Sequence, residues 1–361
     1  MGKPIEKSKI HKILIRATNW VGDAVMTMPA LEAVRENFPS ADITVLARPW
    51  VIPLLETHPA INRVIPYSRG NGIGDDYLEI FRVVRRIREL HFDLAILFQN
   101  AFEAALLTFL GGIKNRVGYN TDGRGFLLSH RVRRRDDIMK GHQVEYYLGI
   151  LRGMGWEAEI KDPTLFVDPN EDERIGRLLR THGIERNDFL MALSPGAIYG
   201  PAKRWPSERF ALIGDWAVER WGAKVLIMGS EREKDIGAEV TDAMKQPAWD
   251  LSGMTSLGGA MALINRCQFF VTNDSGLMHV AAALHIPLVA VFGSTDPVAT
   301  GPRGSYARIV KHETDCAPCL KPECPEDYRC MLGITPEEVW QEMEDLRRRN
   351  VLNETGSVRR P

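Results

Sequence analysis

Asp23 closes the segment Asn19-Trp20-Val21-Gly22-Asp23, directly after an apolar run, where a carboxylate can serve as the general base that any transfer to a hydroxyl needs. Gly22 lets the backbone turn tightly from strand into helix, so Asp23 falls at a helix N-terminus. The macrodipole favours a carboxylate there without any chemistry, and for Asp23 taken alone that is the simpler reading.

Three segments of the second half suit a phosphorylated ligand. Ser194-Pro195-Gly196-Ala197 follows a hydrophobic run, and its small residues would let a phosphate approach backbone N–H groups. Lys203, in Gly200-Pro201-Ala202-Lys203-Arg204-Trp205-Pro206, adds a compact positive charge close by. In Gly229-Ser230-Glu231-Arg232-Glu233, Glu233 is the candidate to accept hydrogen bonds from ribose hydroxyls, with Glu231 second. A solvated, Glu-rich first helical turn accounts for the same letters.

The third segment, Thr272-Asn273-Asp274-Ser275-Gly276-Leu277-Met278-His279, is the most informative. Asn273 or Asp274 can cap a helix, and Gly276 removes the side chain that would screen free N–H groups from a diphosphate. A plain N-cap, with His279 packed against the next strand, explains Asp274-Ser275 but not the glycine.

Cys316, Cys319, Cys324 and Cys330 fall within fifteen residues together with Pro318, Pro322 and Pro325. Without an export signal, such clustering reads as a structural zinc site sooner than as disulfides. The spacing matches no standard zinc module, and reduced thiols are the alternative. Cys267, between a helix and an apolar strand, reads as a buried thiol. Basic residues cluster at Lys114, Arg116, Arg124, Arg131, Arg133, Arg134 and Arg135; they are either a solvated loop or a surface for an anionic acceptor.

These groups need elements to hold them. Short β-rich runs alternate with longer helical segments, the signature of parallel α/β architecture, and the scheme occurs twice. Expected strands are 12–18, 42–48, 63–67, 92–99 and 115–119, then 189–194, 224–229, 268–272 and 287–292. Three consecutive apolar residues, Ile13-Leu14-Ile15, predict a strand covered on both faces. Asp162-Pro163 and Asp168-Pro169-Asn170 interrupt the periodicity, which predicts domains over 1–165 and 170–334 and a C-terminal helix and tail over 335–361. Two domains agree with a length of 361 residues and 44% hydrophobic content.

A net charge of -1 with 26% charged residues excludes a nucleic-acid-coating or disordered chain. No stretch reaches the roughly 18 uninterrupted apolar residues of a membrane span, and the polar first residues predict no signal peptide. The absence of G-x-G-x-x-G, Walker A and G-x-S-x-G patterns disfavours nicotinamide, P-loop and serine-hydrolase chemistry.

In order and over nearly the whole length, the Asn19–Asp23, Ser194–Pro206 and Thr272–His279 segments resemble the heptosyltransferase family of glycosyltransferases. The wording of the last two is most similar to members that transfer to the first heptose of the lipopolysaccharide inner core. The resemblance implies an α/β, GT-B-type fold, two Rossmann-like domains facing across a cleft, the first for the acceptor and the second for ADP-heptose. It implies that Asp23 is the catalytic base and that Lys203 contacts the donor diphosphate. Asp274, Ser275, Gly276 and Leu277 would then hold heptose and phosphates, with His279 beside them; Ser194, Gly196 and Ala197 would line the donor loop, and Glu233 would take the ribose. Transfer would invert the anomeric carbon without a catalytic metal. The acceptor would be lipid A-Kdo-heptose at the inner face of the inner membrane, reached from the cytoplasm. Another acceptor, Kdo or a protein, and a non-catalytic nucleotide-sugar binder are the rival readings. The cysteine cluster is not among the family's catalytic motifs.

Overall fold

Ile13, Leu14 and Ile15 are fully buried in strand β1 (Lys12–Arg16), which therefore has apolar neighbours on both faces and parallel partners on both sides. Those partners are β2 (Asp42–Ala47) and β4 (Leu94–Leu97), with Ile15 opposite Val45 and Ile96. With β3 (Arg63–Pro66), β5 (Asn115–Tyr119) and β6 (His130–Val132) they form an all-parallel sheet in the order β3-β2-β1-β4-β5-β6. The computed structural model describes residues 4–68, 73–135, 138 and 140–354.

A second sheet repeats the topology. β7 (Leu190–Ser194), β8 (Lys224–Ile227), β9 (Ala248–Asp250), β10 (Phe269–Asn273), β11 (Leu288–Phe292) and β12 (Ala307–Lys311) are ordered β12-β11-β10-β7-β8-β9, again parallel. In each sheet the order reverses once, between β1 and β4 and between β7 and β10. Such reversals splay the connecting loops apart and open a crevice at the strands' carboxyl ends.

Three strands escape the sequence reading: β6, β9 and β12. All are sheet edges with mixed burial, so none has the continuous apolar run that marks a strand covered on both faces. The interior strands are the expected ones to within two residues at either end, and β1, β2, β4 and β8 stop one or two residues short at their carboxyl ends.

The chain divides into two compact units after Phe166. Just beyond, the Asp168 carboxylate accepts from Asn170 N at 2.9 Å and Pro169 occupies the first turn, a start signal that fixes helix Pro169–Thr181. The C-terminal helix Pro336–Glu354 belongs to the second unit. It buries Val339, Trp340, Met343 and Leu346 in that unit's core, and the Trp340 ring lies 4.7 Å from that of Trp221. Burial of that many large apolar side chains, at about 1.5–3 kcal/mol each, makes the helix integral to the fold. Residues 355–361 of the expected tail lie outside the described residues.

Candidate functional site

In the first unit, β1 ends in Arg16, and the following loop delivers Asp23 to the first turn of helix Val21–Met26. Asp23 is half-buried, and Tyr147 Oη donates to its Oδ1 at 3.4 Å. Tyr147 comes from helix Gln143–Arg152, capped by His142, whose Nδ1 accepts from Val144 N at 3.1 Å. Burial first, and the neighbouring Asp23 charge second, hold the Tyr147 phenol well above its usual pKa, so it stays a neutral donor.

The motif residues before Asp23 serve as its frame. Buried Arg16 donates through Nη1 to Ala17 O at 2.5 Å and through Nη2 to Asn19 Oδ1 at 3.0 Å. Asn19 O in turn accepts from Trp50 Nε1 at 2.7 Å, which ties the loops after β1 and β2 together. The Arg16 and Arg48 guanidinium groups lie 5.5 Å and 4.3 Å from the Tyr67 ring centroid, and Arg48 pairs with Glu103 at 3.6 Å. Burial, then repulsion from Arg48, pulls Arg16 down to about 10, which leaves it cationic at neutral pH.

Sequence reasoning passed over Arg16, Arg48, Trp50 and Tyr147. Single arginines at strand ends and a tyrosine inside a helix carry no spacing signal, and only the topology gathers them around Asp23.

The basic cluster separates into two kinds of residue. Arg124 is fully buried and clamps two strand-end loops, donating through Nε to Tyr119 O at 3.0 Å, through Nη1 to Gln99 O and through Nη2 to Asn100 Oδ1 at 3.0 Å. Arg116 donates to Leu127 O at 2.6 Å and stacks over Phe109. Both hold the fold. Arg133, Arg134 and Arg135, by contrast, run exposed off the carboxyl end of β6.

In the second unit the expected donor residues gather where the strand order reverses. Ser194 ends β7, and Gly196 and Ala197 lie in the turn after it; all three are buried. Lys203 Nζ lies 2.6 Å from Asp274 Oδ2 and 4.7 Å from the Tyr199 ring centroid. Thr295 Oγ1 donates to the same Asp274 oxygen at 2.6 Å. Asp274 is therefore the lysine's counter-ion and not the helix cap expected from sequence.

Asn273 does not cap either. Its Nδ2 donates to Pro195 O at 2.6 Å and its Oδ1 accepts from Trp205 N at 3.1 Å, so one buried amide ties the turn after β7 to the Lys203 loop. Helix Gly276–Ala283 starts from Ser275 with no side-chain cap, and Ser275, Gly276 and Leu277 are partly open. Its first-turn N–H groups can thus donate to an anion from outside. His279 is buried one turn along.

Of the two acidic candidates, Glu233 turns towards the phosphate-type loop. Its Oε2 accepts from Ser230 N at 2.8 Å and Ser230 Oγ at 2.7 Å, and its other oxygen faces Gly196, where any Cβ would collide with it. Glu231 is exposed and pairs with Lys234 at 2.7 Å.

The cysteine segment braces the Lys203 loop. Pro322 O accepts from Ala202 N at 3.0 Å, Leu320 O accepts from Tyr199 Oη at 2.6 Å, and Leu320 N donates to Ser294 O at 2.8 Å. The Pro322 carbonyl sits so close to Gly200 that a Cβ there would overlap it. The zinc site suggested by the cysteine spacing does not assemble in this arrangement: among the described residues no three His, Cys, Asp or Glu side chains form a group that could hold a metal ion. Cys316 is exposed, Cys319 and Cys324 are partly buried, and Cys330 is buried within electrostatic reach of the other three. Cys267 is the buried thiol expected.

The family model for glycosyltransferase family 9 (heptosyltransferase) matches residues 80–329. The chain is 34% identical to lipopolysaccharide heptosyltransferase 2 of Escherichia coli K12 over 348 residues, 93% of this chain and 98% of that protein. It is also 34% identical to the Salmonella typhimurium protein of the same name, over 93% and 98% of the two chains. The solved structure of E. coli ADP-heptose lps heptosyltransferase II superposes with a TM-score of 0.79 at 30% identity, covering 93% of this chain and 98% of that one. The α/β, GT-B-type class expected from sequence agrees with these structures.

Proposed function

This chain belongs to glycosyltransferase family 9, the heptosyltransferases, and from that premise we propose that its second unit binds ADP-L-glycero-D-manno-heptose and its first unit the acceptor. The enzyme is a glycosyltransferase that transfers heptose in the lipopolysaccharide inner core. The acceptor position is the first heptose of a lipid A-Kdo-heptose core.

The observation that carries the reading is the Lys203–Asp274 pair beside an uncapped helix N-terminus at the reversal of strand order. A lone lysine would be a mobile point charge. One held at 2.6 Å by a buried carboxylate is fixed in place, with two further N–H donors for a diphosphate. Glu233 suits the ribose because it follows the second strand of its unit and leans over the glycine turn.

Transfer is then a direct displacement. Asp23 takes the proton of the acceptor hydroxyl as that oxygen bonds to the anomeric carbon from the face opposite ADP. The bond from that carbon to the diphosphate oxygen breaks, inverting the centre. The charge gained by the diphosphate falls on Lys203 and the first-turn amides of helix Gly276–Ala283. No helix among the described residues is long and apolar enough to cross a membrane. The enzyme meets its lipid-anchored acceptor from the cytoplasm, at the inner face of the inner membrane. Incubation of ADP-heptose with cores carrying none, one or two heptoses tests this: product should accumulate only on the one-heptose core, and preference for either other core would reject the acceptor assignment.

A further inference from the structure

Six of the eight tryptophans are buried or partly buried; Trp20 and Trp50 are 67% and 56% exposed. Both stand at the carboxyl ends of adjacent parallel strands, Trp20 four residues beyond β1 and Trp50 three beyond β2. Neighbouring strands run about 4.8 Å apart, so the two loops leave the sheet side by side. The short helical turn Pro49–Leu54, which carries Trp50, packs against helix Val21–Met26, which Trp20 precedes.

The indoles contribute little to the core, yet Trp50 is fixed. Trp50 Nε1 donates to Asn19 O at 2.7 Å, and Asn19 is held from below by buried Arg16. With its only polar group satisfied by the protein, Trp50 offers an apolar face. Trp20 is the extended N-cap of the helix that carries Asp23 in its first turn, three residues before it.

We infer that Trp20 and Trp50 form an aromatic platform on which a pyranose ring of the acceptor stacks, presenting its hydroxyl to Asp23. A pyranose has a face of C–H groups and an edge of hydroxyls. Stacking the C–H face on an indole removes apolar surface from water on both sides and leaves the hydroxyl edge turned to the base. Exposed arginines at the carboxyl end of β6, three strand spacings or about 14 Å from β1, lie within reach of an acceptor several sugars long.

The inference rests on the assignment of the acceptor to the first unit. The experiment measures steady-state transfer by Trp20→Ala, Trp50→Ala and the corresponding Phe variants, using a water-soluble, lipid-free core oligosaccharide carrying one heptose. Each Ala variant should raise acceptor KM about tenfold or more with donor KM unchanged, the Phe variant at Trp20 should recover most of the loss, and thermal melts should match the parent. Unchanged acceptor KM would overturn the platform. So would an effect confined to acceptor embedded in phospholipid vesicles, which would assign the indoles to the membrane. Asp23→Asn, run in parallel, separates the two claims: full turnover by that variant rejects the first-unit assignment itself, whereas lost turnover with normal acceptor KM in the Trp variants rejects the platform alone.

Discussion

Lys203 Nζ and Asp274 Oδ2 stand 2.6 Å apart, and both side chains are largely shielded from solvent. The proposed donor site therefore contains a neutralised pair, not a bare cation, before any nucleotide arrives. An incoming diphosphate meets a lysine already oriented by its counter-ion, so little ordering is left for the binding step.

Lys203→Ala should accordingly do two things. It should weaken ADP-heptose binding and slow transfer, because the charge acts in both the ground and transition states. It should also destabilise the fold, by about 3–5 kcal/mol if Asp274 is left charged and unpaired. A Lys203→Met/Asp274→Leu double variant should regain much of that stability in urea denaturation while remaining inactive. Stability as poor as that of Lys203→Ala would mean that the pair is not what the lysine contributes to folding.

Tyr147→Phe tests the frame around the base. The phenol donates to Asp23, and a hydrogen bond to a carboxylate favours its ionised form. Its removal should move the acid limb of kcat/KM towards higher pH, with donor affinity unchanged. Because burial and the Asp23 charge raise the pKa of Tyr147 itself, its ionisation should produce no alkaline loss of activity near pH 10. An unmoved acid limb would remove Tyr147 from the catalytic frame.

Cys267 gives a prediction about pH and stability. Burial pushes its thiol up to about 12 from an ordinary value near 9. The folded state thus holds the proton more tightly than the unfolded chain, so the contribution is complete below pH 9 and disappears as pH rises towards 12. By pH 11 the loss should reach roughly 2–3 kcal/mol, at about 1.4 kcal/mol per unit. Urea denaturation of parent and Cys267→Ala at pH 8 and pH 11 should show a smaller pH-dependent drop for the variant. Equal drops would place that thiol in contact with water.

Much of this was legible in the sequence because apolar runs and small-residue turns are local signals. Ile13-Leu14-Ile15 announced a central strand, and the small residues around Gly196 marked a turn that another side chain, Glu233, approaches closely. What was not legible depends on contacts between distant segments. Asn273 and Asp274 read as alternative caps, and only folding turns one into a tie between loops and the other into the partner of a lysine 71 residues away. Arg124 read as part of either a solvated loop or an acceptor surface and is a buried clamp. Three of the four edge strands, β6, β9 and β12, were missed because half-exposed sequences have no pattern of their own.

The central claim, that Asp23 is the base, is tested most directly by kcat of Asp23→Asn at saturating acceptor, with donor affinity measured on the same preparation. The substitution removes the proton acceptor and barely changes shape. kcat should fall about 100- to 10,000-fold while ADP-heptose binds as it does to the parent. Full turnover by Asp23→Asn would contradict the mechanism.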